Sequence, residues 1–176
     1  MLAPLNIEIF TQAQLGISEA EEPHPTFIEN ALAKARHTSA ASGLPALADD
    51  SGICVDALNG APGVLSARYA SESQTGQDQR NNEKLLREMQ GITHRRAHYY
   101  CVLVLVRYAN DPQPIIAEGE WHGEIAQAPH GEGGFGYDPI FWLPKLGKMS
   151  AELTRDEKAQ VSHRALALSV LLQRLN

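Results

Sequence analysis

The alternation of apolar and polar residues along the chain predicts a protein built from both strands and helices. Alternating or continuous apolar stretches predict strands or strand-like pieces at residues 6–11, 53–58, 97–106, 115–125 and 140–143. Apolar residues at helical spacing predict helices at residues 27–42 and 81–89, and further helices beginning after Thr154 and after Ser162. No repeat or linker interrupts this order, so the sequence predicts a single α/β domain over residues 1–176.

Two of these elements carry more detailed expectations. Residues 115–125 are expected to form two short pieces, with a bulge or turn at residues 121–123. The last helix is expected to present one apolar face made of Leu166, Leu168, Leu171, Leu172 and Leu175. Both expectations follow from local spacing alone.

The stretch at residues 45–52 differs from the other apolar runs because it ends in two acids, a hydroxyl and a glycine. A strand that stops at Asp49 and Asp50 would deliver carboxylates to the edge of a sheet, where a ligand can reach them. Adjacent carboxylates repel each other unless a cation joins them, and Mg²⁺ is a suitable cation because it also leaves room for phosphate oxygens. An exposed acidic turn is the alternative, since these residue types also form turns.

The start of the helix at 27–42 raises a similar choice for Glu29. Thr26 and Glu29 have the spacing of a capping box, which gives Glu29 a structural role. An acid in the first turn of a helix can equally face a nearby metal. Lys34, on the same helix, is expected to be a solvated charge.

A second unusual stretch, at residues 130–139, holds four glycines around Phe135. Glycine lets a ligand approach the backbone and exposes amide groups. A phenylalanine among glycines has little core to fill, so the flat face of a ligand is a plausible partner. A surface loop without such a partner is the alternative.

Composition narrows the range of partners. The formal net charge of −6 argues against a broad nucleic-acid or anionic-membrane surface, so a phosphate ligand would need a local group of cations. Lys148, Lys158, His163 and Arg164 supply such a group within a short span. No apolar run is long enough to cross a bilayer, and the two cysteines are expected to be buried free thiols in a reducing cytoplasm.

Several motifs together resemble the inosine triphosphate pyrophosphatase family, whose bacterial members are called dITP/XTP pyrophosphatases. The matching motifs cover nearly the whole chain in order: TFIENA at 26–31, ADDSG at 48–52, GAPG at 60–63, SARY at 66–69, GGFGYDPIF at 133–141 and SHR at 162–164. The resemblance implies an elongated α/β fold with a mixed sheet, flanking helices and two lobes around a central cleft. It also implies Mg²⁺-dependent hydrolysis of ITP, dITP and XTP to the monophosphate and pyrophosphate, usually by a homodimer.

The resemblance assigns roles to individual residues. Glu29 and Asp50 would bind the metal, and Asp50 would accept a proton from the attacking water. The substrate would be held by Ser51, Phe135, Gly136, Tyr137, Asp138, Lys158, His163 and Arg164. Phe135 would stack on the purine, while His163, Arg164 and nearby amides would donate to the 6-oxo group and disfavour adenine.

The chain departs from the family pattern at its beginning, where a first strand, a Thr/Ser-Gly-Asn-x-x-Lys phosphate-binding turn and a helix are expected. A late start assignment or a truncated form would account for this difference. A non-catalytic nucleotide-binding or dimerisation module is therefore an alternative function. A metal-dependent phosphomonoesterase is a third, although it would explain neither Phe135 nor the Ser-His-Arg motif.

Overall fold

The computed structural model describes residues 7–70 and 75–175, which form an α/β fold of helices around a sheet. In the described residues the helices are α1 (Phe27–Ser42), α2 (Gln77–Glu88), α3 (Arg155–Val161) and α4 (His163–Leu175). The strands are β1 (Ala46–Val55), β2 (Arg96–Val106), β3 (Ile115–Ile125), β4 (Phe141–Leu143) and β5 (Lys148–Met149). They form an antiparallel sheet in the order β1-β2-β3-β4-β5. The predicted α/β class with flanking helices is confirmed.

Helix α1 begins and ends where its capping residues predict. The Thr26 side chain accepts a hydrogen bond from the Glu29 amide, and Gly43 ends the helix with a left-handed φ of 71°. Phe27, Ala31 and Ala35 are buried on one face. Burial of this face fixes the orientation of α1, so the polar residues of α1 near β1 have defined positions.

Strand β1 does not stop at the acids. It runs without interruption from Ala46 to Val55, so the predicted strand end at Asp49 and Asp50 is wrong. Asp50 is tolerated inside the strand because side chains of α1 hydrogen-bond its carboxylate. Residues 56–58, predicted as part of a second strand, form a short 3₁₀ helix.

Strand β3 is likewise continuous, so the predicted break at residues 121–123 is wrong. Gly123 lies close to strand β4. A Cβ atom at this position would approach the Trp142 carbonyl oxygen to 2.5 Å and the Phe141 ring to 2.7 Å. The glycine therefore permits close strand packing and does not mark a turn.

The strand predicted at 6–11 is also wrong for residues 7–11, which are not in a strand, while Asn6 lies outside the described residues. Ile7, Ile9 and Phe10 have 55%, 57% and 47% of their surface exposed. Apolar alternation needs a neighbouring strand before it can form a ladder, and the described part of the sheet offers these residues none.

Two helix predictions need smaller corrections. Helix α2 begins at Gln77, four residues before the predicted start, and ends at Glu88. Of Leu85, Leu86 and Met89, which the helical spacing predicts to point inward, Leu85 and Met89 are buried and Leu86 is half-buried. In α4, Leu168 and Leu171 are buried, but 40% of Leu166 is exposed. Leu166 and Leu168 are two positions apart, which places them on opposite sides of a helix.

The chain forms two compact units. Unit 1 comprises Met1–Asp50, Val102–Glu118 and Ala167–Asn176, and unit 2 comprises Ser51–Cys101 and Gly119–Leu166. The core of unit 2 is lined by Ile53, Val55, Leu85, Met89, Tyr99, Trp121, Ile125, Tyr137, Ile140 and Phe141. Unit 1 buries Phe27, Ala31, Ala35, Val102, Val104 and Leu171.

Within the described residues, no helix combines the length and apolar character needed to cross a membrane.

Candidate active site

In unit 1, the Asp50 carboxylate lies at the centre of a group of polar side chains. Only 9% of Asp50 is exposed. Its oxygens accept hydrogen bonds from Asn30 Nδ2 at 3.3 Å and from Lys34 Nζ at 3.1 Å. Because Asn30 and Lys34 are four residues apart on α1, one face of a single helix holds this carboxylate.

Lys34 joins Asp50 to a second acid, Glu22. The ammonium donates to Glu22 Oε1 at 2.8 Å while it contacts Asp50. Burial would lower the pKa of Lys34, but hydrogen bonds and attraction from the two acids raise it overall. Lys34 therefore remains a cation, which contradicts the expectation that it is only a solvated charge.

Burial raises the pKa of Asp50, and Lys34 opposes this shift without reversing it. A carboxylate with a raised pKa holds a transferred proton better than an ordinary aspartate does.

Glu29 and Glu22, two acids near α1, have different partners. Glu29 is exposed, and its carboxylate accepts a hydrogen bond from Thr26 Oγ1 at 2.5 Å. Thr26 therefore caps the helix as predicted, whereas the Glu29 carboxylate bonds to the Thr26 hydroxyl and not to the backbone N–H that a capping box uses. The metal role of Glu29 stays a prediction. Glu22, which sequence reasoning did not single out, shares a cation with Asp50. The only local signal was the run of acids at residues 19–22.

The loop that carries Glu22 is fixed to α1 through Asn30. The His24 amide donates to Asn30 Oδ1 at 3.0 Å, and Asn30 Nδ2 donates to the His24 carbonyl at 3.2 Å.

Glu22, Lys34 and Asp49 also line an open cavity of about 810 Å³ in unit 1. Small ligands can therefore approach Glu22 and Asp49 from solvent.

The acids of unit 1 fit a divalent cation only in part. Glu22 and Asp50 together carry more negative charge than Lys34 neutralises, and carboxylate oxygens suit Mg²⁺. Among the described residues, no group of three or more His, Cys, Asp or Glu side chains is arranged to hold a metal. A metal ion here would have to complete its coordination with water or with ligand oxygens.

In unit 2, Asp138 organises the glycine-rich stretch. This buried carboxylate accepts hydrogen bonds from the Phe135 amide at 2.9 Å, from Ser150 Oγ at 2.7 Å and from the Lys158 ammonium. A Cβ atom on Gly134 would overlap the carboxylate. Gly134 is therefore required by the close approach of the turn to Asp138.

The turn presents Phe135 outward. Two thirds of this side chain (66%) is exposed, and Lys158 Nζ lies 4.8 Å from the ring centroid. An exposed aromatic face suits stacking on a flat ligand, and the ammonium beside it is the one that pairs with Asp138. Phe135, Asp138 and Lys158, which the sequence named separately, are thus in contact with one another.

Tyr137 differs from its neighbours in this turn. Only 3% of it is exposed, and its hydroxyl donates to the Ser66 carbonyl at 2.8 Å inside the core. Burial raises the pKa of Tyr137. Its side chain serves packing, so any contact with a ligand would involve its backbone.

The Ser-His-Arg motif at the start of α4 places two side chains in different surroundings. Only 6% of His163 is exposed, and its ring stacks on Tyr99 at a centroid distance of 4.8 Å and an interplanar angle of 9°. Arg164 is exposed and donates from Nη2 to Ser51 Oγ at 3.2 Å. Lys148 pairs instead with Glu157 on the surface at 3.2 Å.

This fold, with acids held by a lysine in unit 1 and an exposed aromatic turn backed by a lysine in unit 2, defines the class as an α/β protein with flanking helices. The chain belongs to the Ham1 family, whose model matches residues 1–174.

Relatives with high sequence identity agree with this assignment. The dITP/XTP pyrophosphatase of Nitrosomonas europaea is 61% identical over 176 residues, covering 100% of this chain and 86% of the relative. The protein of the same name from Ralstonia nicotianae is 63% identical, covering 99% of this chain and 88% of the relative. The resemblance inferred from the sequence motifs is confirmed.

Solved structures show the same fold. A HAM1 protein from Coxiella burnetii matches with a TM-score of 0.94 at 44% identity, covering 99% of this chain and 88% of that chain. The Ham1 protein of Staphylococcus aureus matches with a TM-score of 0.85 at 42% identity, covering 93% and 83%.

Proposed function

We propose that this protein hydrolyses non-standard purine nucleoside triphosphates (ITP, dITP and XTP) to the monophosphate and pyrophosphate, and so removes deaminated purines from the nucleotide pool. The observation that carries the proposal is whole-chain identity of 57–63% to proteins named dITP/XTP pyrophosphatase. The buried Asp50 carboxylate supports it, because phosphoryl transfer needs an aligned water and neutralised charge more than covalent chemistry.

Asp50 is the proposed proton acceptor. Its raised pKa favours taking a proton from a water molecule, and Asn30 and Lys34 fix the direction of its oxygens. The charge of Lys34 opposes the effect of burial on the pKa of Asp50 and so favours the ionised carboxylate.

Mg²⁺ is the proposed cofactor, with Asp50 as one ligand. Glu22 is the better-supported second ligand, because it shares the Lys34 cation with Asp50 while Glu29 binds Thr26. When bound, the metal would neutralise charge on the phosphate oxygens.

The remaining predicted residues are proposed to hold the substrate. The exposed ring of Phe135 supports stacking on the purine, and Lys158 beside it supports recognition of negative charge. Ser51 and Arg164, already in contact, are suited to polar groups of the nucleotide. The direct roles of Gly136, Tyr137, Asp138 and His163 stay predictions.

The test compares product release from ITP and ATP with Mg²⁺ present. We expect pyrophosphate from ITP much faster than from ATP, and a loss of about 100-fold or more in Asp50→Asn. Gln173→Ala, an exposed change in α4, is the control and should keep full activity. Equal rates on ITP and ATP, or orthophosphate as product, would contradict the proposal, while binding without turnover would favour a nucleotide-binding module.

A homodimer is proposed as the working form, on the strength of the family resemblance. Analytical ultracentrifugation should give twice the chain mass of 19.2 kDa. A single species at the monomer mass across the micromolar range would contradict it.

A further inference from the structure

Asp138 holds one part of the turn that carries Phe135, through the Phe135 amide, and the rest of the turn depends on two flexible glycines. Gly134 and Gly136 adopt left-handed φ values of 78° and 60°, and the Phe135 ring itself is mostly exposed. Glycine gains the most conformational freedom when a contact is lost, so such a turn keeps one shape only if other elements hold it.

Helix α2 supplies that support at a single residue. The Gly136 amide donates to Asp78 Oδ2 at 2.7 Å, and Asn82 Nδ2 donates to the Gly136 carbonyl at 2.9 Å. Both polar backbone groups of Gly136 are therefore bonded to side chains of α2. Asp78 and Asn82 are four residues apart, so they lie on one face of the helix.

The helix that holds Gly136 is itself fixed. Leu85 is fully buried, and Asn81 Nδ2 donates to the carbonyls of Ser66 and Ala67 at 3.2 and 3.1 Å. Asn82 is 7% exposed, and among the described residues its Oδ1 has no hydrogen-bond partner. Burying an unpaired amide oxygen costs free energy, which the bond to Gly136 offsets only in part.

We infer that Asp78 and Asn82 are positioning residues that hold Gly136, and through it orient the Phe135 ring for stacking on the purine base. This inference rests on the proposed function. Neither side chain needs to touch the substrate: their effect passes through the turn. Affinity for the nucleotide depends on them, while cleavage of the phosphate bond, carried by Asp50, depends on them little.

The test is a set of matched variants assayed on ITP. Asp78→Ala should raise KM about tenfold, as expected for a lost hydrogen bond to a charged group, with kcat changed less than about threefold. Asp78→Asn retains an acceptor and should restore most of the affinity, and Asn82→Ala should resemble Asp78→Ala. Gln79→Ala, an exposed change on the same helix, is the control and should have no effect.

A double-mutant cycle with Phe135→Leu separates positioning from general stability. Once the ring is removed, Asp78→Ala should raise KM less than about twofold further, because its effect passes through Phe135. Exchange of the Gly136 amide hydrogen, followed by NMR, should be faster in Asp78→Ala and unchanged in Gln79→Ala. Additive effects of the two substitutions on KM, or a fall in kcat at constant KM, would overturn this inference and leave the proposed function standing. Absence of ITP turnover by the unchanged protein would overturn the proposed function, and this inference with it.

Discussion

At the residue scale, Asp138 shows how one buried carboxylate can fix a glycine-rich loop. Its donors come from three places in unit 2: the Phe135 amide, the Ser150 hydroxyl and the Lys158 ammonium. Asp138 is 1% exposed, while the side chain of Lys158 is 19% exposed. A nearly desolvated acid of this kind is tolerated only because charge and hydrogen bonds satisfy both of its oxygens.

We expect Asp138→Asn to destabilise the protein by about 3–5 kcal/mol, because it leaves a largely buried ammonium without its counter-charge. Urea unfolding followed by tryptophan fluorescence measures this change. Lys148→Met, which breaks the exposed pair with Glu157, should shift the midpoint little, since exposed pairs contribute little. Similar midpoints for Asp138→Asn and the unchanged protein would contradict the role given to Asp138.

Cys54 carries the second prediction at this scale. Burial and the nearby carboxylates of Glu120 and Asp56 raise the pKa of its thiol to about 11. The reactive form is the thiolate, so at pH 8 alkylation by iodoacetamide should be roughly 100-fold slower than for an unperturbed thiol, and should accelerate as the pH rises. Peptide mass spectrometry distinguishes Cys54 from the fully buried Cys101. Glu120→Gln should increase the rate at Cys54, and fast labelling of the unchanged protein at pH 8 would contradict the shifted pKa.

At the element scale, the sequence predicted the features that a residue's own turn determines. It missed the features that depend on contacts with other elements. The ends of α1 follow from Thr26 and Gly43, which act on their own turns. The continuity of β1 through Asp50 depends on Asn30 and Lys34, which belong to another element. No local pattern contains that information, so the acids were expected to end the strand.

The residues of the candidate site also divide into those that local sequence reveals and those that contacts between elements determine. Phe135 and Asp138 were found because glycines, an aromatic residue and an acid stand together in the sequence. Glu22 was missed because its connection to Asp50 runs through the side chain of Lys34. Asp78 was missed because it acts on a turn far along the chain, at Gly136.

The prediction for α1 concerns its C-terminal end. A Cβ atom on Gly43 would meet nothing within 4 Å, so Gly43→Ala should cost only the strain of the left-handed backbone, about 1–2 kcal/mol. Gly43→Asn should cost less, because asparagine tolerates this conformation better than alanine does. Chemical denaturation of both variants measures the difference. Equal stability of the alanine variant and the unchanged protein would contradict a left-handed Gly43.

At the scale of the whole molecule, the chain passes between units 1 and 2 within elements and not through linkers. The boundaries fall inside β1, β2, β3 and α4. A unit that unfolded alone would have to break each of these elements partway along its length. Cooperative unfolding of the two units is therefore expected.

The positions of the tryptophans make this testable. Trp121 and Trp142 both lie in unit 2, whereas α1 lies in unit 1, so fluorescence reports on unit 2 and far-UV circular dichroism on both. The two signals should give the same midpoint. Leu171→Ala, at a buried position of unit 1 with 1% exposure, should lower stability by about 2–5 kcal/mol and shift both signals together.

Gln173→Ala, an exposed change in the same helix, serves as the control and should shift neither signal. If Leu171→Ala moved the circular dichroism transition and left the fluorescence transition in place, unit 1 would unfold on its own. The strands would then have to break at their unit boundaries, and the cooperative behaviour expected from their continuity would be wrong.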